Sequence, residues 1–153
     1  MPATDDQTAP SIWDLYPGAD INHDSRSMYE GWAAKELRIP KCTDCGRWHQ
    51  PSRSICPYCW SFNVVPMPVS GGGIIHLAIR LLQGREAPGV TYPYWVVTVE
   101  LEEQAALRFT STIVGDHLPA TLIGTPVQLE WQMRNGAPFP VFRPLAGSDS
   151  HVA

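Results

Sequence analysis

The sequence predicts a mainly β protein, in which a short N-terminal helix and a metal-binding ribbon precede a small five-stranded barrel. Three observations support this fold class. The chain of 153 residues contains 15 prolines and 12 glycines, a composition that disfavours long helices. Its four cysteines lie in two closely spaced pairs. Beyond residue 70 the apolar residues alternate with period two, which is typical of half-buried strands.

The charge and the N-terminal sequence bear on location. The formal net charge of -4 and the pI near 5.6 give the chain no general attraction to phosphate backbones or anionic membranes. The N-terminus lacks a basic segment followed by an apolar one, and no apolar run approaches the roughly 20 residues of a membrane span. We therefore predict a cytoplasmic protein with no membrane association.

Residues 1–23 are predicted to form a flexible N-terminal arm, because they are rich in aspartate, proline and threonine. Within this arm a short apolar group interrupts the polar sequence. It has two interpretations, docking on a partner protein or packing on its own domain. The residues singled out for partner docking are Trp13, Leu15 and Tyr16.

The segment 24–40 is predicted to be helical. Asp24 is a suitable N-terminal cap, and Met28 and Trp32 fall on one face of a helix. The helix should end before Pro40, since proline disfavours helical conformation in the residue that precedes it.

Residues 41–66 are predicted to form a metal ribbon, because two C-x2-C pairs are separated by ten residues. Such pairs form two knuckles that face each other across a tetrahedral ion. Zinc is the expected metal, and iron suits the same ligands. Disulfides are disfavoured in the cytosol, and a site with four protein ligands is structural rather than catalytic. The predicted ligands are Cys42, Cys45, Cys56 and Cys59.

Basic residues cluster around the ribbon in an otherwise acidic chain. One interpretation is a solvated face that compensates the charge of the thiolates, and the other is a contact with an anionic group or a partner. The candidate residues are Lys35, Arg38, Lys41, Arg47, Trp48 and Arg53.

Residues 67–145 are predicted to form a barrel, and 146–153 a disordered tail. Four or five short strands are too few for a two-sheet sandwich but sufficient for a small barrel. The longer gap before the fourth strand matches the OB-fold pattern. The residues predicted to share one face are Ile75, Leu77, Ile79 and Leu81 in the first strand, Trp95, Val97, Val99 and Leu101 in the second, Leu107, Phe109, Ser111 and Ile113 in the third, and Val127, Leu129, Trp131 and Met133 in the fourth.

Taken together, these segments resemble the DUF35 family of acyl-CoA-associated OB-fold proteins. The resemblance covers roughly residues 27–144 and depends on the ribbon pattern C-x2-CG…C-P-x-C followed by "SGGGIIHLAIRL", "YPYWVVTVEL", "LIGTPVQLEW" and "FPVFRP". In this family the ribbon is rubredoxin-like and carries zinc. The chain departs from the family pattern at Trp60, where a small residue is usual.

The resemblance also implies a function. Members are small, non-catalytic subunits of complexes with thiolase-fold enzymes that act on acyl-CoA thioesters, such as thiolases, side-chain retro-aldolases and acyltransferases. The partner binds most of the CoA, while the small subunit stabilises the partner and shapes its acyl and CoA entrance. A heterotetramer of two small subunits on a thiolase-like dimer is the expected assembly. The basic residues around the ribbon are then candidates for a contact with CoA or with the partner.

Two other functions are weighed. A single-stranded nucleic-acid module is compatible with a barrel and a ribbon, but arginines in the barrel half are matched by acidic residues. A free-standing enzyme or CoA carrier would rest only on the basic cluster beside the ribbon. It lacks a convincing set of catalytic residues, because the five histidines are scattered and Asp116-His117 is best interpreted as a surface pair. We predict no catalytic residues in this chain.

Overall fold

The computed structural model describes residues 9–85 and 90–145. The first eight residues of the predicted arm and all of the predicted tail, 146–153, lie outside the described residues. The two helices are α1 (Ile12–Leu15) and α2 (Arg26–Ala33). The strands are β1 (Arg38–Cys42), β2 (Val64–Pro68), β3 (Gly72–Leu81), β4 (Tyr94–Leu101), β5 (Arg108–Ile113), β6 (Pro126–Arg134) and β7 (Ala137–Pro144). Within these ranges no helix has the length and apolarity to cross a membrane.

The described part of the predicted arm has a defined conformation. Ser11 and Asp14 form a capping box at the start of α1, in which each side chain accepts a hydrogen bond from the backbone of the other residue. Tyr16 follows this turn, and its ring centroid lies 5.4 Å from that of Tyr29 and 5.8 Å from that of Trp32. This apolar group therefore packs on its own domain through Tyr16, whereas Trp13 stays 53% exposed.

Helix α2 is shorter than the predicted helical segment. It begins after Ser25, and Asp24 does not cap it but binds the ribbon instead. After Ala33 the chain turns back, because Lys35 adopts a left-handed conformation with φ of 57° and the amide of Glu36 donates to the carbonyl of Gly31. The predicted helical face is confirmed, since Trp32 is buried and Met28 packs against the same core.

Strands β1 and β2 form a separate antiparallel pair that carries the ribbon. Their register places Arg38 opposite Pro68 and Cys42 opposite Val64. The first three residues of β1 thus belong to the segment that was predicted to be helical. The ribbon is correspondingly longer than the predicted range 41–66, because its two strands begin and end outside that range.

The remaining five strands form a closed barrel, as predicted. Their order around the barrel is β3-β4-β5-β7-β6, and β3 pairs with β6 to close it. All pairs are antiparallel except β5 with β7. This order is that of an OB fold. Pro138, Pro140 and Pro144 lie in the last strand, which agrees with the predicted proline-bounded fifth strand.

The hydrophobic core joins the barrel to the helix and the ribbon. Val97, Val99, Val127 and Phe142 are fully buried inside the barrel. The same cluster continues into Trp32 of α2, Leu37 before β1 and Ile39 of β1. The helix and the ribbon are therefore packed onto the barrel as parts of one folded unit.

The predicted alternation in β3 is wrong beyond Ile75. This residue pairs with Val99, but Leu77 already pairs with Thr98, so that His76 is an extra residue in a β-bulge. One extra residue moves every later side chain to the other face of the strand. Consequently Leu77 and Ile79 are 45% and 49% exposed, and Ala78 packs against the core instead.

A tight hairpin connects β6 to β7. Asn135 and Gly136 both have positive φ, 50° and 81°, as a two-residue type I′ turn requires. The turn sets Arg134 opposite Ala137. The dipeptide Asn-Gly is a strong hairpin signal, so the sequence alone could have predicted this turn.

Candidate metal centre

The two cysteine pairs form knuckles with the same backbone hydrogen bonds. In the first, the amide of Gly46 donates to the carbonyl of Cys42 at 2.9 Å. In the second, the amide of Trp60 donates to the carbonyl of Cys56 at 3.0 Å. Gly46 and Trp60 occupy equivalent positions after the second cysteine of each pair, with φ of 73° and 62°. The conformation suits glycine, and tryptophan adopts it in the second knuckle against its steric preference.

The four sulfurs have the geometry of a tetrahedral tetrathiolate site. All four Sγ atoms lie within 4.8 Å of one another. Two of the distances, Cys42 to Cys59 and Cys45 to Cys56, are 3.6 Å. A zinc ion with bonds of roughly 2.3 Å requires sulfurs roughly 3.8 Å apart, whereas a disulfide requires about 2 Å. The donor set therefore fits a four-coordinate metal and leaves no coordination position for a substrate.

Backbone amides around the second knuckle favour the thiolate form of Cys56. Burial opposes ionisation of Cys56, but the backbone N–H groups of Tyr58 and Cys59 donate to its sulfur and the other thiols add to this effect. Together they lower the pKa of Cys56 to about 7. The Ser61 backbone lowers the pKa of Cys59, but burial and the other thiols raise it to about 12. Cys56 is therefore the thiol of this knuckle that ionises first, and metal ligation requires the deprotonated form of both.

A polar network holds the two knuckles together. The carboxylate of Asp44 accepts hydrogen bonds from the Ser61 hydroxyl and from the Asn63 amide. These bonds lower the pKa of Asp44. The Thr43 hydroxyl also donates to the Asn63 carbonyl at 3.1 Å. The first knuckle is thus tied to the chain that follows the second.

The six residues of the predicted basic cluster have different immediate partners. The Lys41 ammonium lies 5.0 Å above the Trp48 ring, and the Arg47 guanidinium lies 4.6 Å above the Tyr58 ring. Arg38 forms an ion pair with Glu36 at 2.7 Å. Lys35 is exposed at the end of α2, while Arg53 borders a hollow near the start of that helix, together with acidic residues.

Trp48 connects the ribbon to the barrel. Its backbone N–H donates to the Gln104 side chain, whose amide donates back to the Trp48 carbonyl, both at 3.0 Å. Its indole packs against the shared core. Trp48 therefore has a structural role, and Gln104 is a residue that no sequence motif indicated.

The second knuckle carries an exposed aromatic surface, which we call the ribbon tip. Trp60 is 78% exposed and Phe62 is 76% exposed. The sequence signal for this surface is the density of aromatic residues in "PYCWSF". The ribbon tip consists of Ile55, Tyr58, Trp60 and Phe62.

The fold and the site together define a class, that of OB barrels preceded by a four-cysteine zinc ribbon. Residues 30–65 match the family model described as "ChsH2, rubredoxin-like zinc ribbon domain". The chain is also 31% identical to a solved structure titled "Ltp2-ChsH2(DUF35) aldolase", with a TM-score of 0.73, over 82% of this chain and 98% of that one. The chain belongs to the DUF35 family.

One further relative agrees with this assignment, and one further solved structure shares the fold. A "DUF35 domain-containing scaffold protein" of Methanothermobacter thermautotrophicus is 37% identical over 90 residues, which are 58% of this chain and 66% of that protein. A DUF35 protein of unknown function from Sulfolobus solfataricus has a TM-score of 0.54 at 13% identity, over 87% of this chain and 92% of that one. The latter likeness concerns the fold alone.

Proposed function

We propose that this chain is a cytoplasmic, non-catalytic small subunit of a heteromeric complex with a thiolase-fold enzyme that acts on acyl-CoA thioesters. The observation that carries the proposal is the match to almost the full length of a chain in an aldolase complex. The name of the archaeal relative, a scaffold protein, supports the same role. In this complex the partner binds most of the CoA, and the expected assembly is a heterotetramer.

The chemistry of the described residues supports a role without catalysis. His49 is only 4% exposed, and its ring lies beside the Pro51 backbone and not beside a carboxylate of the described residues. Its burial lowers its pKa. His76 lies exposed in the bulge of β3, and no hydrogen bond joins Asp116 to His117 in the exposed loop that they share. These groups lack the nucleophile and orienting partners of a general acid–base site.

The metal in our proposal is Zn²⁺, held by the four cysteines as a structural ion. When bound, it joins the two knuckles and so fixes the ribbon, while Cys42 in β1 links that ribbon to the core. The description of the matching family model supports zinc over iron. Metal analysis of the purified protein distinguishes the two.

The ribbon tip is the proposed partner surface. Aromatic residues and arginine are enriched at the centres of protein interfaces. Here Arg47 stacks on Tyr58, and Trp60 and Phe62 of the same segment are exposed. A left-handed tryptophan costs about 1–2 kcal/mol of stability, whereas glycine adopts the same conformation freely. Residues with strained backbones are concentrated at functional sites. Because the Trp60 side chain is exposed, it does not offset this strain by packing in the hydrophobic core.

Four residues of the predicted cluster are secondary candidates for a contact with CoA, since they have no ion pair in the described part of the chain: Lys35, Lys41, Arg47 and Arg53. No specific observation favours nucleic-acid binding. On the barrel, Arg108 lies 3.5 Å from Glu100 and Arg143 lies 2.8 Å from Glu130. These carboxylates reduce the positive charge that a phosphate backbone would need.

The test is co-expression of the tagged full-length chain with thiolase-fold proteins encoded in the same genome, followed by affinity capture and measurement of mass in solution. We expect a stable complex with one of them, and acyl-CoA turnover only by the complex. A protein that remains monomeric with every such chain, or that turns over acyl-CoA alone, contradicts the proposal.

Trp60→Gly sharpens the test of the surface. It removes an exposed side chain and relieves the left-handed strain, so we expect unchanged or higher thermal stability together with weaker partner binding. Ile123→Ala is the matched control, because Ile123 is a 56% exposed apolar residue on the barrel. If both variants bound the partner equally well, the ribbon tip would not be part of the interface.

A further inference from the structure

A large cavity lies between the N-terminal helices and the barrel, and no cysteine of the metal centre lines it. Its volume is about 760 Å³, within the usual range of small-molecule sites. It is bordered by the α1–α2 segment, by strands β4 and β5, and by the β6–β7 hairpin. Its aromatic lining consists of Tyr16, Tyr29, Trp32, Tyr94 and Phe139.

One cationic side chain, that of Arg134, contributes to this aromatic wall. The turn at Asn135 and Gly136 places it at the end of β6, and its guanidinium lies 4.1 Å above the Phe139 ring. Its Nε donates to the Gln132 side chain at 3.1 Å. Partial burial lowers the pKa of Arg134, yet an arginine retains its charge at neutral pH.

Arg134 differs from the other arginines of β5–β7 in having no anionic partner. Over residues 9–85 and 90–145, no carboxylate lies within 4.0 Å of its nitrogens, whereas Arg108 and Arg143 are both ion-paired. Several hydroxyls of the wall are already used, since Tyr16, Ser111 and Thr112 each donate to a backbone carbonyl. A partly desolvated cation without a counter-charge favours an anionic ligand.

We propose that this cavity binds a small apolar carboxylate. The carboxylate group pairs with the guanidinium of Arg134, and the aliphatic or aromatic body of the ligand lies among the aromatic rings. The planar guanidinium suits a carboxylate because it offers two parallel N–H donors. None of the residues that carry this proposal belongs to the metal centre or the ribbon tip, so it stands independently of the proposed partner.

The experiment is calorimetric titration of the full-length, metal-loaded chain with octanoate, and with octan-1-ol as a neutral ligand of the same chain length. We expect saturable binding of octanoate with one site per chain, and at least about tenfold weaker binding of octan-1-ol. A factor of this size is expected when a charge-assisted hydrogen bond is lost.

Two variants test whether octanoate binds at Arg134. Arg134→Gln should weaken octanoate about tenfold and leave octan-1-ol unchanged, while Arg134→Lys should retain part of the preference for octanoate. Arg143→Gln is the matched control, since Arg143 is a half-exposed arginine on the neighbouring strand that is paired with Glu130, and it should bind octanoate as the unmodified chain does.

Three results would overturn the proposal. These are no saturable octanoate binding by the unmodified chain, equal affinity for octanoate and octan-1-ol, or an octanoate affinity that Arg134→Gln leaves unchanged. Circular dichroism establishes that each variant is folded. If Arg134→Gln does not fold, the comparison of the two ligands on the unmodified chain and on Arg134→Lys decides the matter.

Discussion

The hydroxyl of Tyr16 donates a hydrogen bond of 2.8 Å to the backbone carbonyl of Pro138, across 122 residues of sequence. The bond connects the segment that follows α1 to the last strand of the barrel. Burial is the main reason that the pKa of Tyr16 is raised, and the nearby Tyr29 adds to it. The hydroxyl therefore stays protonated and able to donate.

Tyr16→Phe should lower the free energy of unfolding by about 1 kcal/mol, because it removes this donor and leaves the Pro138 carbonyl without it. Chemical denaturation measures the effect. Tyr58→Phe is the control, since the Tyr58 side chain is 49% exposed, and it should have no comparable effect. Equal destabilisation by the two variants would mean that the Tyr16 bond contributes nothing specific.

Cys45→Ser should abolish stoichiometric metal binding and destabilise the ribbon. A tetrathiolate site derives folding free energy from the bound ion, and removal of one ligand opens the closed coordination sphere. Metal content and thermal unfolding are the measurements. Trp60→Ala alters an exposed side chain of the same ribbon and should retain the metal. A Cys45→Ser protein with full metal content and unchanged stability would rule out the assigned ligand set.

The hydrogen bonds between Asp24 and Ser54 should make the free energy of unfolding depend on pH in the acidic range. The Asp24 carboxylate accepts from the Ser54 hydroxyl at 2.5 Å and from its amide at 3.1 Å. The side-chain bond is the main cause that lowers the pKa of Asp24 below 3.8. A depressed folded-state pKa contributes stability that is present above 3.8 and is lost as the pH falls through the folded value.

A double-mutant cycle of Asp24→Ala and Ser54→Ala isolates this interaction. We expect a favourable coupling at neutral pH that decreases once the pH falls below 3.8. The cycle cancels effects of acid on the metal site that all four proteins share. A coupling that does not change with pH would show that the ionised carboxylate is not its source.

Gly73→Ala should destabilise the barrel by about 2–3 kcal/mol, as expected for overpacking. A Cβ atom there would lie 2.3 Å from the carbonyl oxygen of Glu100 and 2.6 Å from a methyl carbon of Val99. Gly18→Ala is the control, because Gly18 has φ of 82° but open space around it, and should cost about 1 kcal/mol. Thermal unfolding measures the stability of both variants. A smaller loss of stability in Gly73→Ala than in Gly18→Ala would contradict the close approach of β4 to Gly73.

The sequence was most informative where a local pattern has one structural solution. The alternation in β4 correctly placed Val97, Val99 and Leu101 in the core, because a continuous strand keeps its period. The same argument failed in β3, since the bulge at His76 adds a residue that leaves no signature in the pattern. The predicted cap at Asp24 failed because its side chain bonds to Ser54, which is 30 residues away.

By itself, the sequence determined the four-cysteine ribbon, the barrel and the family, because knuckle spacing and strand period are properties of neighbouring residues. Only the tertiary structure decided which side chains meet from distant segments. It set Tyr16 on Pro138, placed Arg134 in an aromatic cavity and left Trp60 exposed with a left-handed backbone. These outcomes depend on how the barrel, the helices and the ribbon pack together, and packing joins residues that no short pattern connects.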